Sequence, residues 1–321
     1  MARMRGGGSR AAGEHDSAGG DDAEPAWRRL PVARHWRVTG LLMAALPSLL
    51  PNEVGAQVRA RERHRPGEPE GQLMVYYASV LANSPAGLLP PAGTRALAGI
   101  EASYVPALSR ARRTVQADKP EATNLARAFP RARAIALVKG TALDFSWVPG
   151  VPVAGVRANV VGLAASRTIA TWQGIHFTPR LSGLTGRVEG SFTCNARTAR
   201  DEGMALEVYY ANVCHGNDSR DRFEPTRGAA ELVASRLVRG RIDSYIMAGV
   251  RHERARFDIG VIRADGSRDP DHPILETRVT KGYGAAGATW SFGARAIASG
   301  EVFYTPGTLV TARVFAGVRL W

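Results

Sequence analysis

The sequence predicts an all-β fold: an antiparallel transmembrane β-barrel of about ten strands, behind an N-terminal extension and a signal peptide. Three observations point there. From about residue 98 the chain runs in segments of roughly 8–14 residues that alternate with period two, separated by Gly, Pro, Asp or Arg-Gly turns. An apolar run with a basic lead-in stands ahead of that series. Tyr and Trp fall near segment ends, where a soluble sandwich would more often bury its Trp mid-strand.

Composition sets the limits. The 321 residues hold 42 Lys+Arg against 29 Asp+Glu, a balance of +13, with 45% hydrophobic and 22% charged residues. That is too apolar for a disordered chain, and two cysteines are too few for a disulfide-built scaffold. No uninterrupted apolar window is long enough for a membrane helix. The cations are almost all Arg and are spread along the chain; Arg59–Arg65 and Arg110–Arg113 are short clusters without interleaved aromatics. A nucleic-acid partner is therefore not expected.

Residues 1–33 are Gly/Ala/Arg/Asp-rich and aperiodic, which reads as a disordered extension or a start assigned too early. Residues 34–56 read as a secretory signal peptide. Arg34, His35 and Arg37 precede the apolar run Val38–Leu50, and Val54-Gly55-Ala56 supplies small residues for cleavage after Ala56. Pro47 and Pro51 argue against a buried helix there. Residues 57–97 form a periplasmic lead-in. Within it Gln72–Asn83 is apolar on both periods and fits either a strand or a short helix.

Residues 98–321 are the barrel. Val310–Leu320 is the clearest strand: its even positions are apolar, while Arg313, Gly317 and Arg319 sit between them. A helix would wrap those arginines into its apolar stripe. The same alternation marks Ile100–Tyr104, Ala134–Val138, Leu143–Val148, Val156–Ala164, Ile175–Val188, Ala230–Val238, Arg241–Val250, Arg278–Trp290 and Ala294–Tyr304. A short helix is expected at Met204–Val213, within a loop. Ala255–Val261 alternates too. It is either an extension above the membrane within the third long loop or, with Gln72–Asn83 as a twelfth strand, part of a twelve-strand alternative; the even-number rule is met by ten or twelve, and ten is preferred.

Counted from a periplasmic start, the inner turns are short and three of the outer connections are long, the asymmetry expected of a membrane barrel. In this register Trp172, Trp290 and Trp321 fall at the inner rim and Tyr104, Trp147 and Tyr304 at the outer rim, as two aromatic girdles. Arg on one strand face suits a lumen. The lumen-facing candidates are Arg157, Arg180, Arg236, Arg251, Arg278, Arg295, Arg313 and Arg319. They either line an anion-favouring pore or pair with Glu101, Asp144, Glu231, Asp243 and Glu301 as a plug. The narrowness of ten strands favours the plug.

The signal, the strand series and the end Val318-Arg319-Leu320-Trp321 together resemble the porin-like, bacterial outer-membrane β-barrel proteins. The aromatic last residue is similar to the family's insertion signal, although the apolar set is offset by one from Trp321. The resemblance implies the bacterial outer membrane as location, with outer-membrane lipid and the barrel-insertion machinery as partners. It implies a non-enzymatic role, structural and surface-exposed or a narrow solute channel, with no cofactor, no metal and no small-molecule ligand indicated.

Two constellations invite chemistry. Cys194 and Cys214 share one external loop and are expected to form a disulfide, closing a ring worth about 3 kcal/mol of loop entropy. His215 beside them leaves a metal site short of ligands. Asp265, Asp269, Asp271 and His272 crowd a second loop. They read first as turn chemistry, then as a calcium site or an outer-membrane hydrolase with an external-loop Asp/His site. Neither Asp271-His272 nor His215-Gly216-Asn217-Asp218-Ser219 matches a catalytic signature, so no catalytic residue is assigned.

Overall fold

The computed structural model describes residues 61–81, 95–116, 119–121, 127–153, 155–201, 204–238 and 240–320. The extension 1–33, the signal 34–56 with its cleavage point, and Trp321 lie outside the described residues.

Ten antiparallel strands close into a barrel. They are β1 (Ala96–Tyr104), β2 (Ala128–Val138), β3 (Thr141–Val148), β4 (Val156–Ser166), β5 (Ile175–Gly190), β6 (Asp221–Val238), β7 (Ile242–Asp258), β8 (Ile274–Phe292), β9 (Ala296–Thr305) and β10 (Leu309–Arg319). Chain neighbours pair in order, and β10 returns to β1 with Arg313 opposite Ser103 and Ala316 opposite Ile100. Closure pairs each strand on both sides along the body of the barrel, and above Gly284, where β8 rises past β9, Arg61–Arg63 covers its top. Smaller strands decorate the wall. Arg61–Arg63 runs parallel to β8 at Ile274–Glu276, Pro152-Val153 folds on β4, and Ala170–Trp172 folds on β5.

One end of the barrel carries tight turns. Lys139-Gly140 joins β2 to β3 with φ of 49° and 76°, and Gln173-Gly174 repeats the device with φ of 49° and 76°. Positive φ at both central residues matches the twist of the flanking strands, and glycine adopts it without steric cost. The other end carries the long connections at 105–127, 191–220 and 259–273.

The wall is uneven. β5 to β8 have 16, 18, 17 and 19 residues, whereas β1, β3, β9 and β10 have 9, 8, 10 and 11. The tall strands outrun their sequence-predicted bounds at the long-loop end, and β7 shows why. Ile246, Ala248 and Val250 place apolar groups outward, but beyond them Ala255 and Phe257, one position out of phase, face inward. The apolar phase inverts mid-strand. Ala255–Asp258 is thus the top of β7, not an eleventh strand.

What the inverted phase faces is a helix. Gln72–Asn83, equally apolar on both periods, lies largely in α1 (Pro69–Leu81). Pro69 suits a first helical position and Glu70 lies in the first turn, where a carboxylate complements the helix dipole. Gly71 and all of Leu73–Leu81 are buried. An apolar helix without a polar face must be enclosed, and the barrel encloses it. Its residues share one core with Val105, Phe129, Val148, Val156, Val188, Phe223, Ala255 and Leu309 from the long-loop half of the wall. Tyr77 packs on Phe192 and Phe223, with ring centroids 5.8 Å away in each case. Burial of each large side chain contributes about 1.5–3 kcal/mol. Separate apolar clusters fill the middle (Val233, Tyr245, Met247, Tyr283, Phe303) and the turn end (Leu97, Ile135, Ala142, Ile297, Phe315).

The 191–220 connection holds α2 (Ala196–Asp201) and α3 (Met204–Val213), the latter at the predicted place. Cys194 and Cys214 are disulfide-bonded. The buried Asp221 carboxylate accepts from the amides of Phe192, Thr193 and Gly260 and from the Ser219 hydroxyl, at 2.7–2.8 Å. One side chain thus ties two long loops to the start of β6.

Candidate functional site

Alternation sorts chemistry by side of the wall. Outward lie Ile100, Leu143, Leu163, Leu181, Leu232, Ile246, Val302 and Val314, all solvent-exposed in the isolated chain. A continuous apolar belt of this kind is what lipid would cover, and it is compatible with a membrane barrel. No helix among the described residues is long and apolar enough to cross a membrane. Tyr104, Trp147 and Tyr304 are exposed towards the long-loop end, and Trp172 and Trp290 at the turn end.

Inward lies charge. Six arginines (Arg131, Arg133, Arg180, Arg227, Arg251, Arg313) and five carboxylates (Glu101, Asp144, Glu231, Glu253, Glu301) are buried inside the barrel. Near parity is required, because an uncompensated charge in a closed lumen is costly. Arg133 Nε donates to Asp144 at 2.9 Å and its Nη1 lies 3.6 Å from Glu101. Arg180 bridges Asp144, at 3.3 Å, to Glu231. Arg227 reaches Glu231 at 3.3 Å, Arg313 reaches Glu301 at 2.6 Å, and Arg251 lies 3.2 Å from Glu253. Aromatic faces take up further positive charge. Arg313 stands 4.9 Å from the Phe303 ring centre and Arg227 stands 5.3 Å from that of Tyr283.

Two rows across the wall share one device. In the first, Arg180, Glu231, Gly249 and Tyr283 stand side by side on β5, β6, β7 and β8. In the second, Tyr245, Gly287, Glu301 and Arg313 stand side by side on β7, β8, β9 and β10. Each tyrosine crosses an inward-facing glycine to donate to a glutamate two strands away, and that glutamate pairs with the arginine beyond. The glycine is a requirement of space. A Cβ on Gly287 would sit 2.5 Å from the Tyr245 hydroxyl, and one on Gly249 would sit 3.0 Å from Glu231 Cγ.

The helix closes the other half. Arg251 Nη2 donates to Ser79 Oγ at 2.6 Å, Arg131 donates to the Leu81 carbonyl and the Tyr76 hydroxyl donates to the Pro106 carbonyl. Ionic rows and α1 together fill the lumen from its middle to the long-loop end.

Of the sequence-predicted lumen arginines, Arg180, Arg251 and Arg313 are inside this network, and Arg319 points inward at the turn end, 3.2 Å from the Ala294 carbonyl. Four are placed elsewhere. Arg157, Arg236 and Arg278 occupy the outward phase of their strands and Arg295 lies in the β8–β9 turn. Each is near a strand end, where a long cationic side chain reaches water on the outer side. Arg131, Arg133 and Arg227 were not anticipated, because the sequence assigns their positions to loops. Asp243 faces inward at the turn end, and its Oδ1 has no hydrogen-bond partner.

The second loop is turn chemistry. Asp269 accepts from Arg263 at 2.8 Å and from the Asp271 amide at 3.1 Å, and Asp271 accepts from Arg263 at 3.1 Å. Asp265 takes the Ser267 amide and hydroxyl. His272 lies 3.4 Å from Asp269, not against Asp271. The Asp271-His272 pair is therefore not assembled as acid and base. No group of three or more His, Cys, Asp or Glu among the described residues is arranged to hold a metal.

No protein-family model and no curated protein matches the chain. Solved structures similar to it include two of the toluene transporter TodX from Pseudomonas putida. One superposes with a TM-score of 0.30 at 10% identity, covering 76% of this chain and 72% of that one. The other has a TM-score of 0.29 at 9% identity, covering 79% and 70%. Nothing about ligand or transport passes from these to the present chain.

Proposed function

We propose that this chain is a non-enzymatic bacterial outer-membrane β-barrel protein with a sealed lumen, acting through its exposed surface and architecture instead of conducting solute. The observation that carries this reading is the filled interior: the Arg–carboxylate rows in the middle and α1 above them. An ion path needs continuous water. Here the inward positions are taken up by mutually neutralising side chains and an apolar helix.

The apolar belt supports membrane insertion. The tight turns face the periplasm and the long connections face outward. The Cys194–Cys214 bridge fits an oxidising compartment, in keeping with export through the signal at residues 34–56 and insertion by the barrel machinery. Cell fractionation with gel migration before and after boiling tests the location. The expected result is recovery in the outer membrane with a faster-migrating unboiled band. A monomer soluble in the periplasm without detergent overturns the reading.

A further inference from the structure

We propose that the outside of the tall wall carries a binding site for the phosphate headgroup of a membrane lipid; the inference rests on the membrane reading above and adds a site and a ligand chemistry to it.

The site lies where the belt ends. Val250 is the last apolar outward residue on β7, and beyond it come His252, Arg254 and Arg256. On β8 the matching positions are Thr280, Arg278 and Glu276. Outward rows follow one another at roughly 7 Å along a strand, so the first two rows above the belt fall at headgroup height. The first row is His252 with Thr280, joined at 2.9 Å. The second is Arg254 directly opposite Arg278. The carboxylate comes only in the third, as Glu276.

Charge is thus graded by height. On β6, β7 and β8 no outward carboxylate stands between the two arginines and the apolar belt. Like charges opposed across strands are unfavourable. A single glutamate serves both: Arg254 Nη2 lies 2.8 Å and Arg278 Nη2 2.9 Å from opposite oxygens of Glu276. One positive charge remains in excess. The side chains are 40% and 55% exposed. Two guanidinium forks, a hydroxyl and an imidazole facing the lipid side make a donor set for a phosphate oxyanion. A phosphate held from below completes what Glu276 begins from above.

The test uses the full chain folded in dodecyl maltoside micelles doped with phosphatidylglycerol or phosphatidylcholine, with retained lipid read by native mass spectrometry. Both lipids carry the phosphate, but the choline cation of phosphatidylcholine opposes the excess positive charge of the site, so net-anionic phosphatidylglycerol is expected to be retained about tenfold over phosphatidylcholine. R254A/R278A is expected to abolish that preference. R187A/R222A, which removes arginines on the neighbouring β5 and β6, is expected to keep it. Equal retention of both lipids, an unchanged preference in R254A/R278A, or displacement of the lipid by inorganic phosphate alone would each overturn the proposal. Heat-modifiable, detergent-requiring protein that is indifferent to headgroup sinks this inference and leaves the membrane reading standing. Protein that needs no detergent sinks both.

Discussion

At the scale of single residues, the interior depends on glutamates that each serve several donors. Glu231 accepts from Arg180, Arg227, Tyr283 and Ser182, and Glu301 accepts from Tyr245 and forms an ion pair with Arg313. Removing one partner of a buried pair strands the other charge, at about 3–5 kcal/mol. Glu231→Ala is therefore expected to lower the unfolding free energy of the refolded barrel, read from urea titration, by about that much, against little change for half-exposed Glu189→Ala. Gly287→Ala should cost at least about 1–3 kcal/mol, because the new methyl meets the Gly300 carbonyl as well as the Tyr245 hydroxyl, each 2.5 Å away, and expels the hydroxyl from its path to Glu301. An unchanged midpoint for Gly287→Ala would show that the crossing contributes nothing. The acids Glu101, Asp144, Glu231 and Glu301 were legible in the sequence as partners for inward arginines. Gly249 and Gly287 were not, since a glycine within a strand reads only as a weak point or a bulge. Its use appears only once the register sets a tyrosine beside it.

At the scale of elements, all ten strands are visible in the period-two pattern because outward-facing and lumen-facing positions differ so strongly. Their upper ends are not. Where β6 and β7 rise above the belt, the outward phase becomes charged and the inward phase becomes apolar to meet α1, so the contrast survives with its sign reversed. The helix itself was hidden for a related reason: a segment apolar all round has no period to read. Its packing predicts that Tyr77→Ala costs about 3–5 kcal/mol, the usual range for truncating a buried aromatic, again read from urea titration. In the 191–220 connection, the Tyr210 hydroxyl donates to Asp218 at 3.1 Å and to the Gly216 carbonyl at 3.1 Å. Burial, then the Asp218 carboxylate, pushes its ionisation up to about 12. A raised folded-state value means the contribution is complete below about pH 10 and is lost as pH rises through about 12. The protection of amides across 204–218, after division by the intrinsic base-catalysed rate, should therefore fall over that window in the native protein, and that pH-dependent fall should be absent in Tyr210→Phe.

At the scale of the whole molecule, a chain of +13 formal charge manages its arginines by height and side. Buried arginines are paired with carboxylates in the lumen, the belt is left apolar, and further cations stand above it on the tall wall and below it at the turn end. The central claim is that this arrangement seals the barrel. Ion conductance across a planar bilayer, recorded after inserting the full chain and verifying its heat-modifiable form in the same preparation, tests it most directly. The account predicts no unitary current steps at any applied voltage that the bilayer survives. Stable anion-preferring steps that disappear in Arg313→Ala would contradict it and establish an arginine-lined pore.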